Sequence, residues 1–185
     1  MAKKRIDLKS MLEEAAAVVD GGGRDELSIG RVAEGLGVQP SALYNHIDGI
    51  DGLVRDLAVH STDNLATFLL DAVVARSGTD AVRALAIAYR QFAGEHPGQY
   101  GATMLPPPER GDSLGEAHDR IVDVFVRVLV SVGYEGDEAV HVARLVRSAI
   151  HGFVSLEAIG AMTSDVDRET SFTYLIDFLA SSLKA

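Results

Sequence analysis

Cysteine and tryptophan are both absent from the 185 residues, and only five residues are proline. Without a thiol there can be no disulfide scaffold, Cys-ligated zinc, iron–sulfur cluster or thiol nucleophile. Scarce proline and a 47% hydrophobic fraction argue against a disordered chain and for a sizeable core. Apolar runs are short and interrupted by charge, so no segment is expected to span a bilayer. The opening Met-Ala-Lys-Lys-Arg-Ile-Asp-Leu-Lys lacks the apolar stretch of a secretion signal, and a cytoplasmic location is expected. Positive charge is also in deficit. The net charge is −10, which taken alone disfavours a nucleic-acid partner. Its distribution is uneven, however. Lys3, Lys4, Arg5 and Lys9 stand against Asp7 alone in residues 3–9, whereas residues 61–185 hold 10 basic against 17 acidic residues, a local −7.

Patterns with strand periodicity are few, and helical spacing recurs. Leu8, Met11, Leu12, Ala15 and Val19 form one stripe that Gly21–Gly23 should end. Ser28 is a plausible N-cap for a two-turn helix carrying Ile29, Val32, Ala33 and Leu36, broken at Gly37. Pro40 sits where a new helix can start without an N–H, and Ala42, Leu43 and Ile47 give that helix an inward side. Gly49 and Gly52 bracket a longer helix. Thr79 or Asp80 opens another that His96-Pro97-Gly98 interrupts. After the Pro106–Asp112 loop, Ser113 could cap a helix containing Ile121, Phe125 and Leu129. Residues 137–162 and 167–184 supply the last two. The expected fold is all-α, about nine helices, with a boundary near residue 50.

Residues 28–47, SIGRVAEGLGVQPSALYNHI, are the most informative stretch. Two short helices meet at a tight turn on Gly37, the plan of a helix-turn-helix whose second helix enters the DNA major groove. That second helix would present Gln39, Ser41, Ala42, Tyr44, Asn45 and His46 outward, a face with no acid. Gln and Asn can hydrogen-bond base edges, Ala can meet a thymine methyl, and Ser, Tyr and His can reach phosphates. An ordinary helical corner would not need an exposed tyrosine, an acid-free face and a basic arm just upstream.

Residues 6–58 resemble the DNA-binding domain of the tetracycline-repressor (TetR) family. Ser28–Val38, then Ala42-Leu43-Tyr44-Asn45-His46-Ile47, then Leu53 carry the resemblance. It implies that Tyr44 and His46 touch backbone phosphate, that Gln39, Ser41, Ala42 and Asn45 lie near bases or phosphates, and that Ser28 lies near phosphate at a helix start. With Lys3, Lys4, Arg5 and Pro40 these make the candidate DNA-binding set. Many members carry a phosphate-facing lysine at the start of the next helix, where this chain has Ile50-Asp51. Tyr89–Tyr100 and His151–Glu157 are similar to a TetR C-terminal subgroup named for a Trp-His-Gly motif, although only the His-Gly half is present. The resemblance implies a homodimer that senses a small molecule. Residues 1–50 would form the DNA-binding domain and 51–185 the effector-binding and dimerisation domain.

Apolar residues occur all round the 139–162 helix, and Phe172, Leu175, Ile176, Leu179 and Leu183 share a face of the last helix. Residues 137–162 and 167–184 are therefore the expected two-fold four-helix interface. For the effector, Tyr89, Phe92, Tyr100, Met104, Phe125 and His151 are candidate lining residues. No cofactor or metal is expected. Glu138-x-x-His141 has a di-iron spacing but occurs once, where such a site needs two. No nucleophile elbow or catalytic triad spacing is present. The expected function is a DNA-binding transcription regulator, a repressor released from operator DNA by a small-molecule ligand. A helical-bundle metal-dependent oxidase and a helical interaction module without a DNA role are the alternatives.

Overall fold

The computed structural model describes residues 6–107 and 111–184. Among them there is no strand. Eight α-helices occur: α1 (Leu8–Gly22), α2 (Ile29–Leu36), α3 (Gly49–Val73), α4 (Gly78–Glu95), α5 (Pro97–Ala102), α6 (Ser113–Val130), α7 (Gly136–Ala158) and α8 (Arg168–Ser182). Two 3-10 segments, Arg24–Glu26 and Pro40–Asn45, join them. By packing, the chain divides into two compact units, Met1–Asp63 with Glu95–Glu116, and Asn64–Gly94 with Ala117–Ala185. The packing boundary thus falls within α3, between residues 63 and 64. The stretch beginning at Glu95 joins the first unit, which a simple cut near residue 50 does not anticipate.

In the first unit, a capping box sets the start of α1. The Asp7 carboxylate accepts from the Ser10 N–H at 2.8 Å, which holds that carboxyl below its ordinary value, and the Asp7 N–H donates to the Ser10 hydroxyl. Met11, Leu12, Ala15, Ala16 and Val19 then face inward as one stripe and meet Val32, Ala33, Leu36, Leu43, Ile47, Leu53 and Leu57 in a common core. Helix α1 ends at Gly23, whose N–H reaches the Val19 carbonyl at 2.8 Å.

Helix α5 comes close to the end of α1. A Cβ on Gly98 would overlap the backbone of Val19 and Asp20, so glycine is required there for the two backbones to approach. The approach brings Asp20 under the turn before α5. Its carboxylate accepts from the Gln99 N–H at 2.8 Å and the Gln99 side-chain amide at 2.7 Å, and it lies 3.1 Å from His96 Nδ1.

The helix expected to be capped by Ser113 is capped one residue earlier. Asp112 accepts from the Gly115 N–H at 2.9 Å and also pairs with Arg55. A carboxylate that can do both displaces a hydroxyl from the cap.

In the second unit, Arg90 of α4 ties α7 and α8 together. Its guanidinium donates to Glu157 at 2.7 and 2.5 Å and to Glu169 at 2.8 and 2.7 Å, and lies 4.6 Å from the Phe172 ring centroid. Asp167 caps α8 through the Thr170 N–H. Helix α7 buries Ala139, Ala143, Val146, Ile150 and Val154.

Candidate nucleic-acid interface

The interface is built on α2. Ser28 is its N-cap, accepting from the Arg31 N–H at 3.2 Å, and the residue itself stays exposed. Gly37 closes the helix at φ 71°, ψ 36°, a left-handed conformation that glycine adopts without strain, and the following Val38 N–H reaches the Ala33 carbonyl at 2.9 Å. The chain therefore leaves α2 in one fixed direction. Gln39 then precedes Pro40, whose missing N–H falls at the first position of the next element.

That element is a 3-10 helix over Pro40–Asn45, where an α-helix was expected. Its bonds run three residues back, from Ala42 N to the Gln39 carbonyl and from His46 N to the Leu43 carbonyl, both at 2.9 Å. Six residues anchored by only two inward side chains are short enough for this tighter winding. Those anchors are Leu43, fully buried, and Ile47, 7% exposed. Around them the segment faces out: Gln39, Pro40, Ser41, Tyr44, Asn45 and His46 are exposed, Tyr44 at 59%, while Ala42 is half-buried. The outward set expected from the sequence is thus brought together on one short ridge, held from beneath by the α1–α2 core. Lys3, Lys4 and Arg5 lie outside the described residues. Two described cations of the first unit are tied to neighbouring acids in exposed pairs, Arg31 to Glu26 at 3.1 Å and Lys9 to Glu13 at 3.7 Å.

The six candidate effector residues are divided between the two units. Tyr89, Phe125 and His151 form one cluster in the second unit, with Tyr89 edge-on to both rings and its hydroxyl 3.4 Å from His151 Nδ1. Burial, reinforced by Arg147, lowers the His151 pKa. Phe92 packs edge-on against Phe68. Tyr89, Phe92 and Phe125 are at most 2% exposed, so they are packed core. Tyr100 and Met104 belong to the first unit, where Tyr100 is buried and Met104 lines a cavity.

Residues 82–179 match the family described as tetracyclin repressor-like, C-terminal domain. Along 97% of this chain and 83% of its own length, the HTH-type transcriptional regulator Rv0681 of Mycobacterium tuberculosis is 34% identical. The chain belongs to the TetR family. A second relative, the HTH-type transcriptional regulator YobS of Bacillus subtilis, is 32% identical over 95% of this chain and 91% of its own. Among solved structures, a TetR variant of Acinetobacter baumannii in complex with minocycline has the same fold, with a TM-score of 0.70 at 20% identity over 96% of both chains. This protein is accordingly a DNA-binding transcriptional regulator. These matches establish the family but not the Trp-His-Gly subgroup.

At the start of α3, Ile50 and Asp51 are both exposed, and neither offers a cation. In the second unit, α7 does not bury its apolar residues on every side. Leu145, Leu156 and Ile159 are 60%, 49% and 77% exposed, and on α8 Tyr174 and Phe178 are 74% and 67% exposed. Glu138, half of the Glu-x-x-His motif, is engaged by Lys184 at 2.6 Å. No helix among the described residues is long and apolar enough to cross a membrane.

Some contributors were missed in the sequence. Gly98, Asp20 and Gln99 join through a sequence separation of 79 residues, which no local pattern reports. The one signal was the Pro97-Gly98 pair inside an otherwise helical run.

Proposed function

We propose that this regulator is a repressor that binds double-stranded operator DNA as a homodimer and is released by a small-molecule ligand. One observation carries the reading: an acid-free ridge from Gln39 to His46 stands exposed on a scaffold whose inward residues are fully packed. On this reading Gln39, Ser41, Ala42 and Asn45 face bases, while Tyr44, His46 and Ser28 reach phosphates beside Pro40, and Lys3, Lys4 and Arg5 add charge. Residues 1–50 do the reading, and residues 51–185 do the sensing and the pairing. The open stripe Leu145, Leu156 and Ile159 on α7, with Tyr174 and Phe178 on α8, is the apolar surface that a second copy would cover in a four-helix contact. Two reading ridges would then enter successive major grooves about 34–36 Å apart. Ligand response comes to this chain from the family and from the minocycline complex of the A. baumannii protein.

Random-sequence DNA selection with the full chain tests this. Enrichment of a two-fold symmetric site is expected, and recovery of no common sequence refutes it. Tyr44→Ala should weaken binding to the selected site about tenfold or more while leaving the dimer intact on sedimentation. An unchanged gel-shift affinity for that variant removes the ridge from the interface.

A further inference from the structure

We propose that the first compact unit holds a binding site for an organic monocarboxylate with an apolar body, its acid group on Arg24 and its body between α1, α3 and α5. This rests on the reading of the chain as a ligand-released regulator, and it differs from the simple division at residue 50 in giving residues 19–27 of the first unit a part in sensing.

A cavity of about 470 Å³ opens within this unit, inside the range of about 300–1,000 Å³ that small-molecule sites occupy. Its walls are apolar: Val19 from α1, Leu27 behind the 3-10 turn, Val54 and Leu57 from α3, Met104 and Leu105 after α5. Two glycines of α5, Gly98 and Gly101, also line it. Gly98 lets the helix sit against α1, and a Cβ on Gly101 would meet nothing within 4 Å.

Two charged residues also line the cavity, Asp20 and Arg24, and their situations differ. Both oxygens of Asp20 are already taken, by two Gln99 donors and His96, and its side chain is 17% exposed. Arg24 is exposed and makes no side-chain ion pair or hydrogen bond among the described residues. The charge left to be matched is therefore a single positive one. A guanidinium pairs a carboxylate with two parallel hydrogen bonds. One negative charge balances it, whereas a dianion would keep a second charge in apolar surroundings near Asp20.

The position suits regulation. Arg24 begins the turn that leads from α1 through Leu27 to Ser28, the cap of α2, so ligand and reading ridge share a few residues of backbone. An occupant wedged between α1 and α5 also loads the Asp20 clamp. It shifts DNA binding to the extent that it prefers the arrangement with the clamp displaced.

Calorimetric titration of the purified full chain, without DNA, tests the site with hexanoate, octanoate, decanoate and phenylacetate, and with decylamine as the charge-reversed probe. At least one acid should bind and the amine should not. Arg24→Gln, an exposed change that leaves the core untouched, should weaken acid binding about tenfold or more. Gly101→Phe should abolish it by filling the space. Binding of no acid, equal binding of the amine, or acid affinity unaltered in both variants overturns the site. On the selected DNA, the bound acid should weaken affinity for the wild-type chain but not for Gly101→Phe, and DNA affinity unmoved by a saturating acid overturns its regulatory role. Because the titration contains no DNA, its failure is separate from failure of the selection experiment.

Discussion

Replacing Gly98 by alanine adds one methyl group at the place where α5 touches α1. Glycine to alanine inside a helix is ordinarily favourable by about 0.5–1 kcal/mol. Here the new Cβ would fall well inside the 3.4 Å at which ordinary contact begins, against the Val19 carbonyl and the Asp20 nitrogen. Those atoms are helix backbone and cannot swing aside as a side chain would. Relief requires α5 to retreat by about an ångström, an overpacking cost of roughly 1–3 kcal/mol. The same retreat lengthens the Gln99–Asp20 bonds from 2.8 and 2.7 Å past the limit of a useful hydrogen bond. Losing them leaves a mostly buried carboxylate short of donors, worth about 1.5–3 kcal/mol. The two losses overlap, so a net destabilisation of about 2–4 kcal/mol is expected. For a chain of this size each kcal/mol moves the melting midpoint by about 2–4 °C, giving a fall of roughly 5–15 °C. Gly101→Ala is the internal control, since its Cβ meets open space and the helix gains an alanine. Thermal and denaturant unfolding of both variants should separate them sharply. If Gly98→Ala melts with the wild type, the close approach of α5 to α1 is wrong, and the Asp20 clamp with it.

Three further expectations follow from other parts of the molecule. Arg90→Met strands Glu157, which is 21% exposed, and empties the space over Phe172; a loss of about 2–3 kcal/mol in urea unfolding is expected, with Arg90→Lys failing to restore it because an ammonium lacks the planar fork. His151 and His60 are both held below the ordinary histidine value of 6.5, chiefly by burial, so below pH 6.5 the unfolded chain binds more protons; stability should be full above 6.5 and decline as pH drops through that value, and His151→Asn should flatten a profile of denaturant midpoints. DNA affinity should fall with added salt despite the acidic total, and Arg31→Gln should reduce the slope of log affinity against log salt by about one for each subunit, a flat response in the wild type being the refuting result.

Helix punctuation was legible because it is local. Ser28 as a cap, Gly37 as a left-handed stop and Pro40 at a helix start are each decided by one residue's own geometry, and each falls where the pattern placed it. Most of the buried stripe of α1 was legible for the same reason, since Met11, Leu12, Ala15 and Val19 repeat at helical spacing and are buried, whereas Leu8, in the first turn where fewer neighbours cover it, is exposed at 40% and Ala16 is buried in addition. The outward ridge followed from these, because fixing Leu43 and Ile47 inward leaves Tyr44 and Asn45 nowhere but out. Asp112 outcompeting Ser113 was not legible, because Arg55, 57 residues away, holds the carboxylate there. Nor was the 3-10 winding of Pro40–Asn45, which depends on how few side chains anchor the segment. Candidate effector residues were chosen as aromatic and near-aromatic side chains of the bundle. Aromatic bulk serves a filled core as well as a lining, and Tyr89, Phe92 and Phe125 were spent on the core. The cavity of the first unit is lined by Gly98 and Gly101 and by no aromatic ring, so a choice made on rings could not find it.

How a chain of net charge −10 reads a polyanion is answered by where its acids are. No residue of the ridge from Gln39 to His46 carries a carboxylate, and the adjoining acids that come nearest in sequence, Glu34 and Asp48, lie on either side of it. The exposed cations Arg31 and Lys9 are held by Glu26 and Glu13 in pairs at least half exposed to solvent, and such pairs contribute little and exchange readily. A phosphate that reached Arg31 would therefore displace a weak partner at small cost, and the freed acid would return to water. Attraction at a distance is poor for this molecule, so electrostatic steering contributes less than for a basic protein. On the proposed reading, discrimination then rests on short-range groups, the amides of Gln39 and Asn45 and the methyl of Ala42, which would act only when the ridge is seated in the groove. Weak long-range attraction combined with uncharged base-reading groups lowers non-specific binding more than specific binding, so the acidic total sharpens selectivity instead of preventing recognition.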